Sequence, residues 1–373
     1  MNIAIWGLGK FGKYIYRMLN NSQQHTVKCF IDKNADSCRK YRGIDVYTPD
    51  EFKGRWNNDV EAVLIAFIGS GEVRNYLMPY AGEGRHIGIV QARVFTKQLG
   101  LQDDLRQDAN IIWENSGTFE KPWLETLETN VVDFCNLNCK GCSHFSNIFP
   151  KGHKIPYEIF EKDIKQIAKS IFIEQFNLLG GEVFLCDNLA DYFACIAENM
   201  PQTKIELVSN GLLIPRVGEE IWRVIQKYNV AISVTEYLPF SKIKKDAVKV
   251  LRDHKIPYEL RPKVETFGKN VDLSGKNDPY LAQSRCRESN CQFLRNGRIY
   301  KCPFSALGNY YFDHYRINLH FDEGFDIYAG DADWFSFAEN VRKEPIKQCQ
   351  YCGGEERFDW AVSNCPQKEE WLI

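Results

Sequence analysis

The first ninety residues alternate short apolar runs with one amphipathic stretch. Apolar positions recur at helical spacing over residues 13–19, which predicts a helix that covers one face of a sheet. Strands that alternate with helices favour parallel pairing. We therefore predict a first α/β domain over residues 1–95. Its predicted strands, each an apolar run rich in β-branched residues, lie at residues 2–6, 26–31, 60–67 and 86–90.

The same alternation returns from residue 123 onward and continues through the middle of the chain. This repeat predicts a parallel α/β core over residues 123–280, with its ligand site at the carboxyl ends of the strands. Residues 96–122 are of mixed polar composition and are predicted to be a connector. The predicted strands are 124–132, 176–179, 204–208, 230–234 and 258–261, and the predicted helices are 157–171, 188–200, 219–228 and 242–254.

A glycine-rich turn follows the first predicted strand. Gly7, Gly9 and Gly12 form GxGxxG before the helix, and Asp32 ends the second strand twenty residues after Gly12. Strand, glycine turn, helix and distant acid are the context of a dinucleotide fingerprint, in which backbone N–H groups approach a pyrophosphate. This predicts half of a Rossmann-like sheet, with no second half to bind a nicotinamide.

The role of this domain stays open at the level of sequence. The stretch from residue 3 to residue 12, with Asp32 and residues 46–50, resembles small domains of surface-polysaccharide and sugar-nucleotide proteins. Some of those domains hold a nucleotide or nucleotide-sugar, and others hold nothing. The alternatives are therefore a bound nucleotide, or a scaffold or docking role.

Composition narrows the class of protein. The net charge of −2 over 373 residues provides no basic field for nucleic acid. The longest apolar run, residues 62–68, is too short to span a bilayer, and the first residues lack the basic region of a signal peptide. Thirteen cysteines, an odd number, gather in two places. We expect a cytoplasmic protein whose thiols bind metal and are not paired in disulfides.

The first group of cysteines follows the predicted strand 124–132. Cys135, Cys139 and Cys142 are spaced CxxxCxxC, whereas a structural zinc site takes four ligands. Three thiolates on a four-iron cluster leave one iron open to a small molecule. With the aromatic Phe134 before it, this motif resembles that of the radical S-adenosylmethionine (SAM) enzymes.

Two further elements, in the family's order and spacing, strengthen the resemblance. Residues 178–182 resemble the family's GGE element, and residues 208–211 resemble its element near the SAM ribose and carboxylate. The resemblance implies an open, partial (β/α)6 barrel, a [4Fe–4S] cluster that binds SAM, and a reducing partner such as flavodoxin or ferredoxin. It also implies the ligands: Cys135, Cys139 and Cys142 for the cluster, Glu182 for the SAM ammonium with Gly180 and Gly181 leaving space, Ser209 and Asn210 near the ribose, and Ser233 as a weaker SAM contact.

The second group of cysteines predicts a small cysteine-rich module over residues 281–373. A hairpin is predicted at Asn296 and Gly297, and the spacing from Gly297 through Cys302 to a later CxxC resembles the SPASM and twitch auxiliary-cluster modules. The resemblance implies one auxiliary [4Fe–4S] cluster, with a zinc site as the alternative. Its predicted ligands are Cys302, Cys349 and Cys352, with Cys286 or Cys291 as the fourth.

The function expected from these resemblances is a radical reaction on carbohydrate. SAM would be cleaved to a 5′-deoxyadenosyl radical that removes hydrogen from a sugar, a nucleotide-sugar or a glycan intermediate. Dehydrogenation is the first expectation, with epimerisation or elimination as further outcomes; Cys186 is a candidate to return a hydrogen atom in epimerisation. The alternatives are modification of a ribosomally made peptide or protein, and a maturase or activator that acts on a protein partner.

Overall fold

The structure is a computed structural model, and it describes residues 1–22, 25–56, 59–66, 71–81, 85–91, 110–115, 121–269, 271–286, 288–353 and 356–373. Two compact units make up the chain, Met1–Glu125 and Thr126–Ile373. Residue 67 of the predicted strand 60–67 and residues 96–109 and 116–120 of the predicted connector lie outside the described residues.

The first unit is a parallel sheet with helices between its strands. Its strands are β1 (Asn2–Trp6), β2 (Thr26–Ile31), β3 (Lys40–Tyr41), β4 (Ile44–Tyr47), β5 (Ala62–Ile65), β6 (His86–Gln91) and β7 (Asn110–Asn115). Its helices are α1 (Lys10–Ser22), α2 (Pro49–Lys53) and α3 (Gly71–Leu77).

The central strands of this sheet are parallel and buried. Across the described residues the order is β3-β4-β2-β1-β5-β6-β7, with parallel pairing from β4 to β6 and antiparallel strands at the edges. Ile3, Ile5 and Leu64, on the central strands, are fully buried, because a parallel sheet is covered on both faces. The predicted connector contributes β7, which pairs with β6.

The second unit repeats strand and helix in sequence. It begins within β8 (Trp123–Val132) and contains α4 (Tyr157–Ser170), β9 (Phe172–Gly180), α5 (Leu189–Asn199), β10 (Lys204–Ser209), α6 (Glu219–Lys227), β11 (Ala231–Val234), α7 (Lys244–Asp253) and β12 (Tyr258–Leu260). It continues with β13 (Thr266–Gly268), α8 (Pro279–Ser284), β14 (Gln292–Arg295), β15 (Arg298–Tyr300), α9 (Pro303–His314), β16 (Phe325–Asp326), α10 (Trp334–Asn340) and β17 (Arg357–Asp359).

The main sheet of the second unit is parallel over most of its width. Its described strands run in the order β12-β11-β10-β9-β8-β14-β15-β16, and the pairs β12–β11, β11–β10, β10–β9 and β8–β14 are parallel. The carboxyl ends of β8, β9 and β10 therefore meet at one edge. This arrangement confirms the prediction of a parallel α/β fold.

The predicted hairpin extends this same sheet. β14 pairs in parallel with β8 and antiparallel with β15, and the turn residues Asn296 and Gly297 have φ of 47° and 76°, as a type I′ turn requires. Arg295 donates two hydrogen bonds, of 3.0 and 2.8 Å, to the buried carboxylate of Asp133 just after β8. The first strand of the hairpin thus packs as part of the core.

An aromatic cluster holds the end of the chain against the loop after β8. Phe145 is fully buried, stacks on Tyr311 of α9 at 5.1 Å and contacts Trp371 at 5.8 Å. Large aromatic groups that pack in this way contribute strongly to stability.

Across the residues that the structure describes, there is no helix of the length and apolar character needed to cross a membrane.

Candidate functional site

The cysteine loop, residues 133–145, leaves the carboxyl end of β8. Its three thiols line one cavity of about 340 Å³, which we call the thiol cavity. The turn after β9 and the end of β10 line the same cavity, so the parallel sheet brings three separate sequence elements together. The predicted residues found on its wall are Cys135, Cys139, Cys142, Gly180, Gly181, Ser209 and Asn210.

The two glycines at the end of β9 are required by the close approach of the backbone at the end of β8 and the start of the cysteine loop. A Cβ on Gly180 would lie 2.1 Å from the carbonyl oxygen of Val132, and a Cβ on Gly181 would lie 2.2 Å from that of Phe134. The N–H of Gly181 donates to the Val132 carbonyl at 3.0 Å. The space that these glycines provide is therefore filled first by the protein backbone.

Glu182 joins the ends of β9 and β10. Its carboxylate is buried and accepts hydrogen bonds from the Ser209 hydroxyl at 2.7 Å, the Asn210 N–H at 2.9 Å and the Phe184 N–H at 3.2 Å. Burial raises the pKa of this carboxyl group, and the three donors oppose that rise. Glu182 thus links the two predicted SAM-binding elements through hydrogen bonds.

Asn210 reaches from the end of β10 to the cysteine loop. Its side-chain amide donates to the Oδ1 atom of Asn136 at 2.8 Å and lies 3.6 Å from the sulfur of Cys135. Hydrogen bonds to sulfur stabilise its negative charge. The element around Ser209 and Asn210 therefore positions the first thiol of the motif.

Burial keeps the three thiols of the cysteine loop protonated in the protein alone. It raises the pKa of Cys135 to about 12 and also raises the pKa of Cys139 and of Cys142. Sulfur binds metal as the thiolate, so metal binding at this site must release protons. A positively charged group of irons is the partner that would offset three buried thiolates.

The wall of the thiol cavity also carries ionisable groups for which the sequence predicted no role in this cavity. Glu128, on β8, is 5% exposed, and burial together with the charge of Glu288 raises its pKa to about 7. Arg261, Cys291 and Glu288 line the same cavity. Glu128 is one of two carboxylates in β8, the other being Glu125, and a charged residue within a predicted strand is the sequence signal that could have indicated it.

A family model now adds to this geometry. Residues 129–257, which carry the cysteine loop, the Gly-Gly-Glu turn and the end of β10, match the model described as Radical SAM superfamily. Residues 129–257 form a radical SAM domain. The match confirms the prediction of an enzyme of this superfamily, which implies a [4Fe–4S] cluster and SAM.

Curated relatives match only part of the chain. It is 25% identical over 108 residues to a protein named GTP 3′,8-cyclase from Alkaliphilus oremlandii, an alignment that covers 28% of this chain and 34% of that protein. It is 28% identical over 109 residues to the protein of the same name from Geobacter sulfurreducens, over 28% and 33% of the two chains. The chain thus spans about a third of the length of these relatives.

A solved structure is also similar in part. The crystal structure of BtrN in complex with AdoMet and 2-DOIA matches 63% of this chain and 95% of that chain, with 15% identical residues and a TM-score of 0.38.

The second cysteine group of this radical SAM protein surrounds a separate, smaller cavity of about 30 Å³, the auxiliary cavity. Four of the five candidate thiols line it: Cys286, Cys302, Cys349 and Cys352. Cys291 faces the thiol cavity instead. The sequence could not separate Cys286 from Cys291, because the choice depends on where α8 and β14 direct the residues between them.

A buried cation lies beside the auxiliary thiols. Lys301, immediately before Cys302, is 5% exposed and donates to the carbonyl oxygen of Val341 at 2.5 Å. It lines the auxiliary cavity, and burial lowers its pKa. Its positive charge would stabilise thiolates there.

The described residues do not form a single-ion site. Within the described ranges, no three His, Cys, Asp or Glu side chains lie close enough together to ligate one metal ion. The auxiliary cluster and its zinc alternative therefore both stay predictions.

Two further candidates of the second unit, a serine and a cysteine, stay predictions as a SAM contact and a hydrogen-atom donor. Ser233 is fully buried, and its hydroxyl accepts a hydrogen bond of 2.6 Å from Nε of Arg261. It therefore supports a residue of the thiol cavity wall. Cys186 is buried and lies 3.6 Å from the Oδ1 atom of Asn188.

In the first unit, the candidate nucleotide residues interact with one another. Gly7 has φ of 105°, and a Cβ on Gly12 would lie 1.8 Å from the Gly7 carbonyl oxygen, whereas one on Gly9 would meet nothing within 4 Å. The Asp32 carboxylate accepts hydrogen bonds from Leu8 N–H at 2.8 Å and Asn34 N–H at 2.9 Å. Both of its oxygens thus stabilise the turn, and nucleotide binding stays a prediction.

Proposed function

We propose that this protein cleaves SAM reductively and uses the resulting 5′-deoxyadenosyl radical to abstract hydrogen from a sugar, a nucleotide-sugar or a glycan intermediate. The observation that carries the proposal is the common cavity. Three thiols from one loop open into it together with the Gly-Gly turn and the Ser209–Asn210 pair.

The residues of the thiol cavity would have different roles in this reaction. Cys135, Cys139 and Cys142 would hold a [4Fe–4S] cluster, which supplies the electron for cleavage when SAM is bound. Glu182 keeps the ends of β9 and β10 together through three hydrogen bonds, so that both walls of the cavity present a defined surface. The buried setting excludes water from a reactive radical.

The part of the thiol cavity wall that carries Glu128, Arg261 and Glu288 suits a polyhydroxylated substrate. Glu128 accepts a proton near neutral pH, since its pKa is about 7, and Arg261 and Glu288 offer a donor and an acceptor beside it. Oxidation of an alcohol needs a group that removes the hydroxyl proton. Glu128 is well placed for that task, which favours dehydrogenation.

An auxiliary site would support the same reaction. Cys286, Cys302, Cys349 and Cys352 surround one cavity and would hold a second [4Fe–4S] cluster, which can accept an electron. The shared cavity supports Cys286 as the fourth ligand. Cys291 lines the thiol cavity, which argues against Cys291 as that ligand. In the first unit, we favour a scaffold role for the turn that Asp32 already occupies.

The first experiment is release of 5′-deoxyadenosine by the anaerobically reconstituted and reduced full chain. Sugars and nucleotide-sugars, peptides, and GTP are supplied as separate arms, each compared with SAM alone. Release above background with sugars supports the proposal. Release only with peptides, or only with GTP as in the name of the relatives, replaces the substrate class and keeps the SAM chemistry.

Matched variants test the site itself. Replacement of Cys135, Cys139 and Cys142 by Ala should abolish release, whereas Cys195→Ala, a buried thiol on α5, should retain it. Release that survives the triple replacement overturns the proposal. A stable complex with one protein and no release in any arm favours the alternative of a maturase or activator.

A further inference from the structure

A tryptophan near the end of the chain donates directly to a motif sulfur, as Asn210 does to Cys135. Nε1 of Trp360, just after β17, donates a hydrogen bond of 3.3 Å to the Sγ atom of Cys139. Cys139 and Trp360 are 221 residues apart in the chain. The contact therefore exists only because the end of the chain returns to the cysteine loop.

The indole of Trp360 is held in place from two sides. Its backbone N–H donates to the carbonyl oxygen of Glu265 at 2.8 Å, next to the pairing of β13 with β17. Its ring lies against Tyr237, with centroids 5.8 Å apart and a 30° interplanar angle. A donor fixed in this way points at the sulfur without a further loss of side-chain freedom.

The backbone of the same segment also pairs with the cysteine loop. The N–H of Lys140 donates to the Ala361 carbonyl at 2.8 Å, and the N–H of Ser363 donates to the Asn138 carbonyl at 2.9 Å. The Cys139 sulfur thus lies under a strand-like contact from the C-terminal segment, residues 357–373. Its position relative to the indole is set by backbone geometry.

We propose that Trp360 is a positioning residue that raises the reduction potential of the cluster held by Cys135, Cys139 and Cys142, through its N–H to the Cys139 sulfur. This inference rests on the proposed function, because it needs a cluster at that site. Reduction adds one electron and therefore one negative charge. A donor to a ligand sulfur stabilises the more negative state more strongly, so the cluster becomes easier to reduce.

The chain provides a matched control in a second tryptophan. Nε1 of Trp371 donates to the backbone carbonyl oxygen of Cys142 at 2.8 Å. Its replacement removes an indole N–H from the same loop without removing a donor to sulfur. Trp360→Phe and Trp371→Phe therefore differ in the feature that the inference names.

The experiment is a redox titration of the full, anaerobically reconstituted chain, followed by electron paramagnetic resonance. The SAM-binding cluster is identified as the signal that changes when SAM is added. We expect Trp360→Phe to shift its midpoint to a more negative potential, while Trp371→Phe titrates with the wild type. Equal midpoints for Trp360→Phe and the wild type overturn the inference.

A second replacement, closer in shape to tryptophan, tests the inference in case Trp360→Phe does not bind the cluster. Benzothienylalanine at position 360 keeps the shape of the indole but has sulfur in place of N–H. It should show the same negative shift with unchanged iron content, and an unshifted midpoint overturns the inference even if Trp360→Phe fails to load. If the wild type itself shows no signal that responds to SAM, the proposed function fails first, and the two failures are thereby distinguished.

Discussion

Gly181 lies so close to Phe134 that a Cβ on the glycine would stand 2.2 Å from the Phe134 carbonyl oxygen. This contact joins the turn after β9 to the first residues of the cysteine loop. A side chain at position 181 must move the backbone that carries Cys135, since the nearest atoms are all main-chain atoms.

We therefore expect Gly181→Ala to lose iron from the cysteine loop and to unfold at a lower temperature. The measurement is iron content after reconstitution, together with thermal unfolding. Gly330→Ala is the control, because a Cβ there would meet nothing within 4 Å. Wild-type iron content in Gly181→Ala would contradict the close approach.

Replacement of Glu182 by Gln should destabilise the second unit. The three groups that contact its carboxylate are all donors, so the amide NH₂ of Gln must face at least one of them. An unsatisfied buried polar group costs about 1–3 kcal/mol. Urea denaturation should show a loss of that size, whereas Glu220→Gln, exposed on α6, should show almost none.

Iron content separates the two candidates for the fourth auxiliary ligand. Cys286→Ala should lose up to about four of roughly eight irons, because one iron of the auxiliary cluster loses its protein ligand and the cluster becomes easier to lose. Cys291→Ala should keep them all, since Cys291 lines the thiol cavity. Loss of iron from Cys291→Ala, with full iron in Cys286→Ala, would reverse the assignment.

The buried carboxyl group of Glu128 predicts a pH dependence of stability. Burial raises its pKa from 4.5 to about 7, so between these values the folded state holds a proton that the unfolded state has released. The free energy of unfolding therefore falls as pH rises through this window. The contribution is fully present below pH 4.5 and is lost above pH 7.

Gln does not titrate. The free energy of unfolding of Glu128→Gln, relative to that of the wild type, should therefore rise by up to roughly 3 kcal/mol as the pH is raised from about 5 to about 8. Urea denaturation at the two pH values measures the difference. Glu158→Gln, at an exposed position on α4, is the control and should follow the wild type. A constant difference between Glu128→Gln and the wild type would mean that Glu128 is ionised in the folded protein.

The strands and helices were largely predictable, because each carries its own local pattern. The predicted strand 204–208 and helix 219–228 correspond to β10 (Lys204–Ser209) and α6 (Glu219–Lys227), and the turn at Asn296 and Gly297 forms with positive φ at both residues. These features depend on neighbours in sequence. Apolar periodicity and turn chemistry therefore suffice to indicate them.

The partners of the site residues were not predictable in the same way. The predicted contact of Glu182 with a SAM ammonium stays a prediction, and the structure adds hydrogen bonds to its carboxylate from Ser209 and two backbone N–H groups. The predicted space at Gly180 and Gly181 also stays a prediction, and the structure adds their close approach to the backbone before and within the cysteine loop. Such contacts join segments that are far apart in the chain, and no local pattern encodes them.

The amino-acid sequence by itself predicted the α/β class, the radical SAM superfamily and the candidate metal-binding thiols, because local patterns and spacing along the chain define each of them. Only the tertiary structure decided that Cys286 shares a cavity with three other thiols while Cys291 faces another. It alone brought Trp360 to Cys139. The physical reason is that these distances are set by packing of the sheet, the hairpin and the chain's end, which bury their aromatic residues together.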